Sequence, residues 1–139
     1  MSDERKSNPL EIISDDDTPL AYIVTAGWKP ERTTFLTPDH FGQQMGMIVY
    51  KAGEEIKPHV HLPITRKVEG TTECIIVREG SCEIDIYNSD RKLIAVRSLA
   101  QGTIILLLGG GHGFRMNTDT VLFEVKQGPY AGDADKERF

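Results

Sequence analysis

The sequence has no long apolar run, little cysteine and no excess of basic residues. No stretch approaches the roughly 20 apolar residues of a membrane-spanning helix. The first residues, MSDERKSNP, carry charges and a proline where a signal peptide would have an apolar core. Sixteen Lys and Arg against 21 Asp and Glu give a net charge of -5, so the basic surface that nucleic-acid binding requires is missing. These absences predict a cytoplasmic protein that contacts neither membrane nor nucleic acid.

What the sequence does contain is a series of short β-type runs separated by turn residues. From residue 20 onward they are LAYIV, TTFL, MGMIVY, ECIIV, CEIDIY, LIAV, TIILLL, FRM and VLFEV. This spacing is typical of an all-β sandwich or barrel. Only TPDHFGQQ, residues 37–44, could hold a helical turn, with Thr37 as its N-cap. The length of 139 residues suits one domain.

The two ends of the chain differ from this middle part. Residues 1–18 include the run DDD at 15–17 and few aromatics, which indicates a flexible acidic arm. The run LEII at 10–13 could nevertheless add an edge strand. Residues 19–130 hold the β-type runs, and residues 131–139 form a polar tail that could cover the barrel or a neighbouring subunit.

One hairpin can be aligned from the sequence. If Glu79 and Gly80 form a two-residue turn, the runs on either side pair residue by residue. The predicted pairs are Val77 with Cys82, Ile75 with Ile84 and Glu73 with Ile86. Side chains alternate along a strand, so these six share one face and Cys74 lies on the other, which makes a Cys74–Cys82 disulfide improbable. Glu73 then stands on an apolar face, where it needs a cation or hydrogen bonds.

Two histidines, His59 and His61, are separated by a single residue. On a strand this spacing points both imidazoles the same way. Together with the Glu73 carboxylate from a neighbouring strand, they would form a chelating face for a divalent ion. The alternative for an isolated His-x-His pair is that both histidines lie on the surface by chance and bind no metal.

The intervals around these residues resemble the first motif of the cupin superfamily. That motif runs glycine, five residues, His-x-His, three or four residues, Glu, six residues, Gly. The chain matches it with Gly53, His59, His61, Glu73 and Gly80. One interval departs, since eleven residues separate His61 from Glu73, which implies a lengthened loop. Glu69 in that loop is a rival ligand, but it lacks the six-residue interval to Gly80.

A second cupin motif runs glycine, five residues, Pro-x-Gly, two residues, His, three residues, Asn. Gly102 and His112 match two of its positions, although the proline is missing and the histidine comes one residue early. We interpret this as a one-residue deletion in the turn. Asn117 keeps its interval from Gly102 but not from His112, and no role is assigned to it.

The resemblance covers roughly residues 45–127 and implies an all-β, cupin-type jelly-roll β-barrel. It implies one divalent metal ion, with Zn, Ni, Mn and Fe as candidates. The implied ligands are His59, His61, Glu73 and His112. Cupins include many enzymes and binding proteins, so the fold alone does not decide the reaction.

The expected function is metal-assisted isomerisation, epimerisation or ring-opening of a small sugar-like or carbonyl or carboxylate substrate. Two alternatives stay open. One is an iron-dependent dioxygenase, because three histidines and one glutamate also suit iron. The other is a non-catalytic module that binds a small ligand.

The last β-type run has two faces of different character. Leu122, Glu124 and Lys126 share one face, and Val121, Phe123 and Val125 share the other. A three-residue turn before the run would pair His112 with Glu124 and bring Glu124 and Lys126 inside. A four-residue turn would leave both in solvent, where charges usually lie.

Metal-dependent cupin lyases acting on unsaturated uronates carry an acidic residue at the comparable place, facing the metal. This resemblance favours the inward orientation of Glu124. Those lyases have an aromatic where this chain has Lys126, so the resemblance covers Glu124 alone. Glu124 and Lys126 are the candidate catalytic residues, because a carboxylate and an ammonium in one pocket suit acid/base work or anchoring of an anionic sugar. A structural ion pair is the alternative.

The long loop and the strand edges suggest partners. Arg66 and Lys67 would sit at the mouth of the barrel and could steer an acidic or phosphorylated ligand. Solvated loop charges are the alternative. Exposed strand edges and the arm also predict a homodimer, because unpaired edges tend to be covered.

Overall fold

The computed structural model describes residues 8–139. The described residues fall into two compact units: residues 8–28 together with 70–139, and residues 29–69. Residues 1–7, which begin the predicted acidic arm, lie outside the described residues. The first unit holds most of the strands.

Ten strands and one short 3-10 helix make up the described chain. In chain order they are β1 (Leu10–Asp15), β2 (Thr18–Val24), β3 (Thr34–Phe35), β4 (Gly46–Met47), β5 (Glu73–Glu79), β6 (Cys82–Tyr87), β7 (Leu93–Leu99), β8 (Ile104–Leu107), β9 (Gly111–Met116), β10 (Val121–Lys126) and the 3-10 helix Gly132–Asp135. Each predicted β-type run contains one of these strands, and β1 forms at the possible edge strand LEII. The all-β class is confirmed.

Residues 8–139 contain no helix that is long and apolar enough to cross a membrane.

The first unit is a sandwich of two antiparallel sheets. One sheet has five strands in the order β1-β2-β8-β5-β10, and the other has three in the order β7-β6-β9. Within the described residues, each sheet keeps two free edges. The strands therefore form sheets with open edges rather than the closed barrel expected from the sequence.

The core lies between the two sheets. Alternate residues of each strand point into it, including Ile75 and Val77 of β5, Ile84 and Ile86 of β6, and Ile105 of β8. These five side chains are at most 4% exposed. Burying a large aliphatic side chain contributes about 1.5–3 kcal/mol to the stability of the fold. The alternating apolar residues of the strands therefore hold the two sheets together.

The predicted pairing of β5 with β6 is wrong. β5 pairs with β8 and β10, whereas β6 pairs with β7 and β9. Gly80, at a φ of 82°, carries the chain from one sheet to the other, and the Ser81 carbonyl then accepts a hydrogen bond from the Asn117 N–H at 3.0 Å. Val77 and Cys82 still share the core, because the inward faces of two packed sheets look at each other.

Both cysteines are free. Cys82 is buried in the core, while Cys74 is on the opposite face of its own strand and is only partly buried. Burial raises the pKa of both thiols. Each is therefore less ionised than an ordinary thiol at neutral pH.

The second unit, residues 29–69, holds the short pair β3 and β4. Residues 37–44 form no helix, and their one hydrogen-bonded turn has the Phe41 N–H donating to the Pro38 carbonyl at 3.1 Å. The Thr37 hydroxyl donates to Gln44 Oε1 at 2.9 Å and accepts from the Met45 N–H at 3.1 Å. Thr37 thus closes the loop between the two strands instead of capping a helix.

Candidate functional site

The site is built where strands of both sheets end at the same side of the sandwich. Glu73 is the first residue of β5 and lies opposite Lys126, the last residue of β10. His112, near the start of β9, lies opposite Ile86, whose side chain is in the core. Residues opposite each other in an antiparallel pair point to the same face. Glu73 and His112 therefore both point between the sheets.

A hydrogen bond joins these two side chains across the sandwich. His112 Nε2 lies 3.1 Å from Glu73 Oε2, and the side chains are 31% and 16% exposed, respectively. Glu73 thus obtains the polar partner that its place on an apolar face demands. The contact ties the five-stranded sheet to the three-stranded one at the rim of the core.

The orientation of β10 follows from its register with β5. Leu122 lies opposite Val77, Glu124 opposite Ile75, and a bulge separates Val121 from Leu122. Since Ile75 and Val77 point into the core, the face bearing Leu122, Glu124 and Lys126 also points inward. The other face, formed by Val121, Phe123 and Val125, is 46–52% exposed.

The predicted pairing of His112 with Glu124 is wrong. β9 and β10 belong to different sheets, and the turn between them crosses from one to the other just as the turn at Gly80 does. Glu124 is instead the diagonal neighbour of Glu73 across β5 and β10, close enough for the two carboxyl groups to shift each other's pKa. Glu73 is therefore the central residue of the cluster, with His112 on one side and Glu124 on the other.

The pKa values of the Glu73 and Glu124 carboxyl groups are shifted in opposite directions. The hydrogen bond with His112 lowers the pKa of Glu73 more than partial burial raises it, and Glu124, His112 and Lys126 lower it further. Burial raises the pKa of Glu124, and the hydrogen bond and negative charge of Glu73 add to this, while Lys126 and Lys136 act in the opposite direction. Glu73 is therefore the stronger acid, and Glu124 loses its proton at a higher pH than Glu73.

Two neighbouring carboxyl groups of unequal acidity can act together chemically. Two neighbouring acids with separated pKa values can serve as proton donor and acceptor in one site. Lys126 adds a positive charge opposite Glu73. Such an arrangement can move a proton or hold a polar ligand by several hydrogen bonds.

Two residues that the sequence analysis did not single out hold this end of the sandwich in place. Gln127 Oε1 accepts from the Thr72 N–H at 2.7 Å, and Gln127 Nε2 donates to the Thr72 hydroxyl at 2.7 Å. Both lie next to cluster residues, Glu73 and Lys126. The hydrophobic periodicity of the sequence cannot predict these two hydrogen bonds, because they depend on which two strands are neighbours.

His59 and His61 lie in the second unit. Their rings are neighbours, with centroids 5.3 Å apart. His59 Nδ1 lies 2.8 Å from the Lys57 carbonyl. When Nδ1–H donates to a backbone carbonyl, Nε2 keeps its lone pair, which is the arrangement common in metal-binding histidines.

The charged residues of the long loop are exposed. Lys67 forms an ion pair with Glu69 at 3.3 Å, with side chains 87% and 83% exposed. Arg66 is also exposed. Glu69, the rival of Glu73 as a ligand, is therefore engaged with a neighbouring lysine, whereas Glu73 contacts His112.

The donor groups fit a divalent metal in kind. Imidazole nitrogens and carboxylate oxygens suit Zn, Ni, Mn and Fe, and Glu73 and His112 are already in contact. Among residues 8–139, however, no group of three or more His, Cys, Asp or Glu is arranged to hold an ion. Metal binding thus stays a prediction that experiment has to test.

Comparison with protein-family models, with curated proteins and with solved structures found no match.

Proposed function

We propose that the protein is a metal-dependent cupin that acts on a small sugar-like or carbonyl or carboxylate substrate. The observation that carries the proposal is the 3.1 Å contact of His112 with Glu73 between the two sheets, with Glu124 as the diagonal neighbour of Glu73. Glu73 is partly buried at the rim of the core, where a charged group needs a partner. The pKa values of Glu73 and Glu124 are shifted in opposite directions, as is common at functional sites. The cupin-like intervals in the sequence supply the second, independent support.

The proposed chemistry is proton transfer by Glu124. Its raised pKa lets it donate a proton to a substrate oxygen or return one to carbon, which suits isomerisation, epimerisation or ring-opening. Lys126 would hold an anionic group of the substrate or stabilise the ionised carboxylates. Arg66 and Lys67 would attract an acidic substrate, a role that their exposure allows.

A divalent ion, when bound, would supply Lewis acidity at the substrate oxygen. Glu73 and His112 would bind it, and the sequence spacing adds His59 and His61 as the other ligands. The assignment of these two histidines rests on the His-x-His interval and on the orientation of the His59 ring by the Lys57 carbonyl.

Metal binding can be measured on the purified protein by dialysis against Zn, Ni, Mn or Fe followed by elemental analysis. We expect about one ion per chain and a loss of affinity of at least tenfold in His112→Ala and in His59→Ala. The control is His40→Ala, since His40 packs against Phe41 and is outside the proposed ligand set. Equal metal content in all three variants would contradict the proposal.

We also propose that the protein forms a homodimer through the outer face of β10. This strand is a sheet edge, and Val121, Phe123 and Val125 on its outer face are about half exposed. An antiparallel edge can meet a second copy of itself about a twofold axis, which satisfies its free backbone groups.

Light scattering should therefore give about twice the 15.5 kDa of one chain. We expect Phe123→Asp to lower this mass to that of the monomer. Val96→Asp, at an exposed apolar position of β7, should not. A wild-type mass of one chain would show that the edge remains free in solution.

A further inference from the structure

The C-terminal strap, residues 131–139, is fastened to both sheets of the first unit. It begins with the 3-10 helix Gly132–Asp135 and continues in an extended conformation from Lys136. At the five-stranded sheet, Asp135 Oδ1 accepts a hydrogen bond from the Thr71 hydroxyl at 2.5 Å. Thr71 precedes Glu73 by two residues, so this contact lies beside one member of the cluster.

The other end of the strap is fastened to the three-stranded sheet. The Phe139 ring meets the Tyr87 ring edge to face, with centroids 5.0 Å apart, and the Arg91 guanidinium lies 5.1 Å from the Phe139 centroid. Arg91 also pairs with Glu137 at 2.6 Å.

Gly111 makes room for the ring. A Cβ at Gly111 would come within 2.9 Å of the Phe139 Cζ, so the aromatic ring rests on the bare backbone of that residue. Gly111 is the residue directly before His112. The second contact therefore lies beside the other member of the Glu73–His112 pair.

The strap therefore runs from a contact beside Glu73 to a contact beside His112. Its two fastenings flank Glu73 and His112, and residues 136–138 lie between the fastenings. Four extended residues reach about 13 Å, enough to cross the roughly 10 Å between packed sheets. Lys136 lies close enough to Glu124 to act on its charge.

We propose that the C-terminal strap is a lid that covers the Glu73–His112 pair and opens to admit ligands. Its attachments suit reversible opening, because the contacts at both ends lie near the surface. Arg91 and Glu137 have side chains 50% and 78% exposed, and Phe139 is 61% exposed. Exposed ion pairs and cation–π contacts stabilise only weakly, so the strap lifts without unfolding the sandwich.

Accessibility of His112 tests the lid directly, on metal-free protein and with no substrate. Diethyl pyrocarbonate modifies exposed imidazoles, and peptide mass spectrometry follows each histidine separately. We expect Phe139→Ala and Arg91→Ala to raise the modification rate of His112 by roughly threefold to tenfold, since weak surface contacts shift a closing equilibrium by factors of this size. The rate at His40 in the same molecules should stay unchanged, because His40 is an exposed residue of the second unit and is the internal reference for the reagent.

Three further variants separate the lid from a local effect. Gly111→Ala pushes the Phe139 ring away from the strand side and should also expose His112. Phe139→Tyr keeps the ring and should behave as the wild type. Arg115→Ala removes an arginine of β9 that pairs with Glu83 and Asp85, away from the strap, and should leave the His112 rate unchanged.

Equal His112 rates in the wild type, Phe139→Ala and Gly111→Ala would overturn the lid. The result does not depend on the proposed function, because modification needs neither metal nor turnover. A protein that binds no metal can still show the lid, and one that binds metal can still lack it.

Discussion

Replacing Glu124 by glutamine is expected to lower turnover by roughly 10²–10⁴-fold, the range typical of a general acid/base group, while fold and metal content stay unchanged. Glutamine keeps the shape of the side chain and can still donate a hydrogen bond, but it cannot exchange a proton with a substrate. Glu124 is outside the proposed ligand set, so the metal should remain.

The measurement follows proton exchange, because the substrate has not been identified. Metal-loaded protein in D₂O is mixed with a panel of keto sugars and uronates, and NMR records the loss of the C–H signal beside the carbonyl group. An unchanged exchange rate in Glu124→Gln rules out the catalytic role of this residue. If the wild type binds members of the panel without any exchange or conversion, the binding module is the better description.

The same variant should also be slightly more stable at neutral pH. The pKa of Glu124 is raised in the folded protein, so its stabilising contribution is present below the ordinary glutamate pKa and is lost as the pH rises through the folded value. Glutamine does not ionise, so the variant does not lose this stability as the pH rises. We expect a Tm gain of about 1–3 °C near pH 7, kept small by solvent screening, and none near pH 3.

Glu79→Gln, at the exposed end of β5, removes one glutamate charge outside the cluster and is the matched control for the change of charge. Glu73 acts with the opposite sign. Its lowered pKa stabilises the fold above the ordinary glutamate range, and this contribution disappears as the pH falls through the folded value. A Tm gain in Glu124→Gln that is equal at both pH values would contradict the assigned shift.

Gly80→Ala should be the most destabilising single substitution discussed, at roughly 3–4 kcal/mol, or a Tm loss on the order of 10 °C. Gly80 has a φ of 82°, which disfavours any side chain, and a Cβ there would overlap the Asp119 carbonyl oxygen. That oxygen belongs to the turn between β9 and β10. The turn cannot shift away from a new Cβ unless both strands move. Thermal unfolding followed by circular dichroism measures the loss.

Gly27→Ala is the matched control for this substitution. Gly27 has a similar φ of 75°, but a Cβ there meets no atom within 4 Å. It should therefore cost only about 1 kcal/mol, from the backbone conformation alone. Equal losses in the two variants would mean that the close approach of the two turns does not matter for stability.

The strands were readable from the sequence because each buries one face. Alternation along ECIIV and CEIDIY identifies the inward residues of β5 and β6 without any knowledge of their partners. The same alternation placed Glu73 on the apolar face and marked it as an unusual residue. Local pattern is sufficient for such statements, since side-chain direction has a period of two whatever the strand pairs with.

Pairing was not readable in the same way. Glu79 and Gly80 look like the turn of a hairpin, and a turn that crosses between sheets uses the same glycine. The choice depends on whether β8 and β10 offer β5 better neighbours than β6 does, which is a property of the whole core. For this reason both pairings predicted across a turn, Val77 with Cys82 and His112 with Glu124, were wrong.

The sequence by itself determined the all-β class, the inward faces of β5 and β6 and the unusual position of Glu73. The tertiary structure alone decided that His112 and Glu124 both lie beside Glu73, and that the C-terminal strap is attached next to Glu73 and next to His112. The physical reason is sequence separation. Contacts between residues 40 or 60 positions apart depend on sheet order and register, and these are set by the combined packing of all strands rather than by any local pattern.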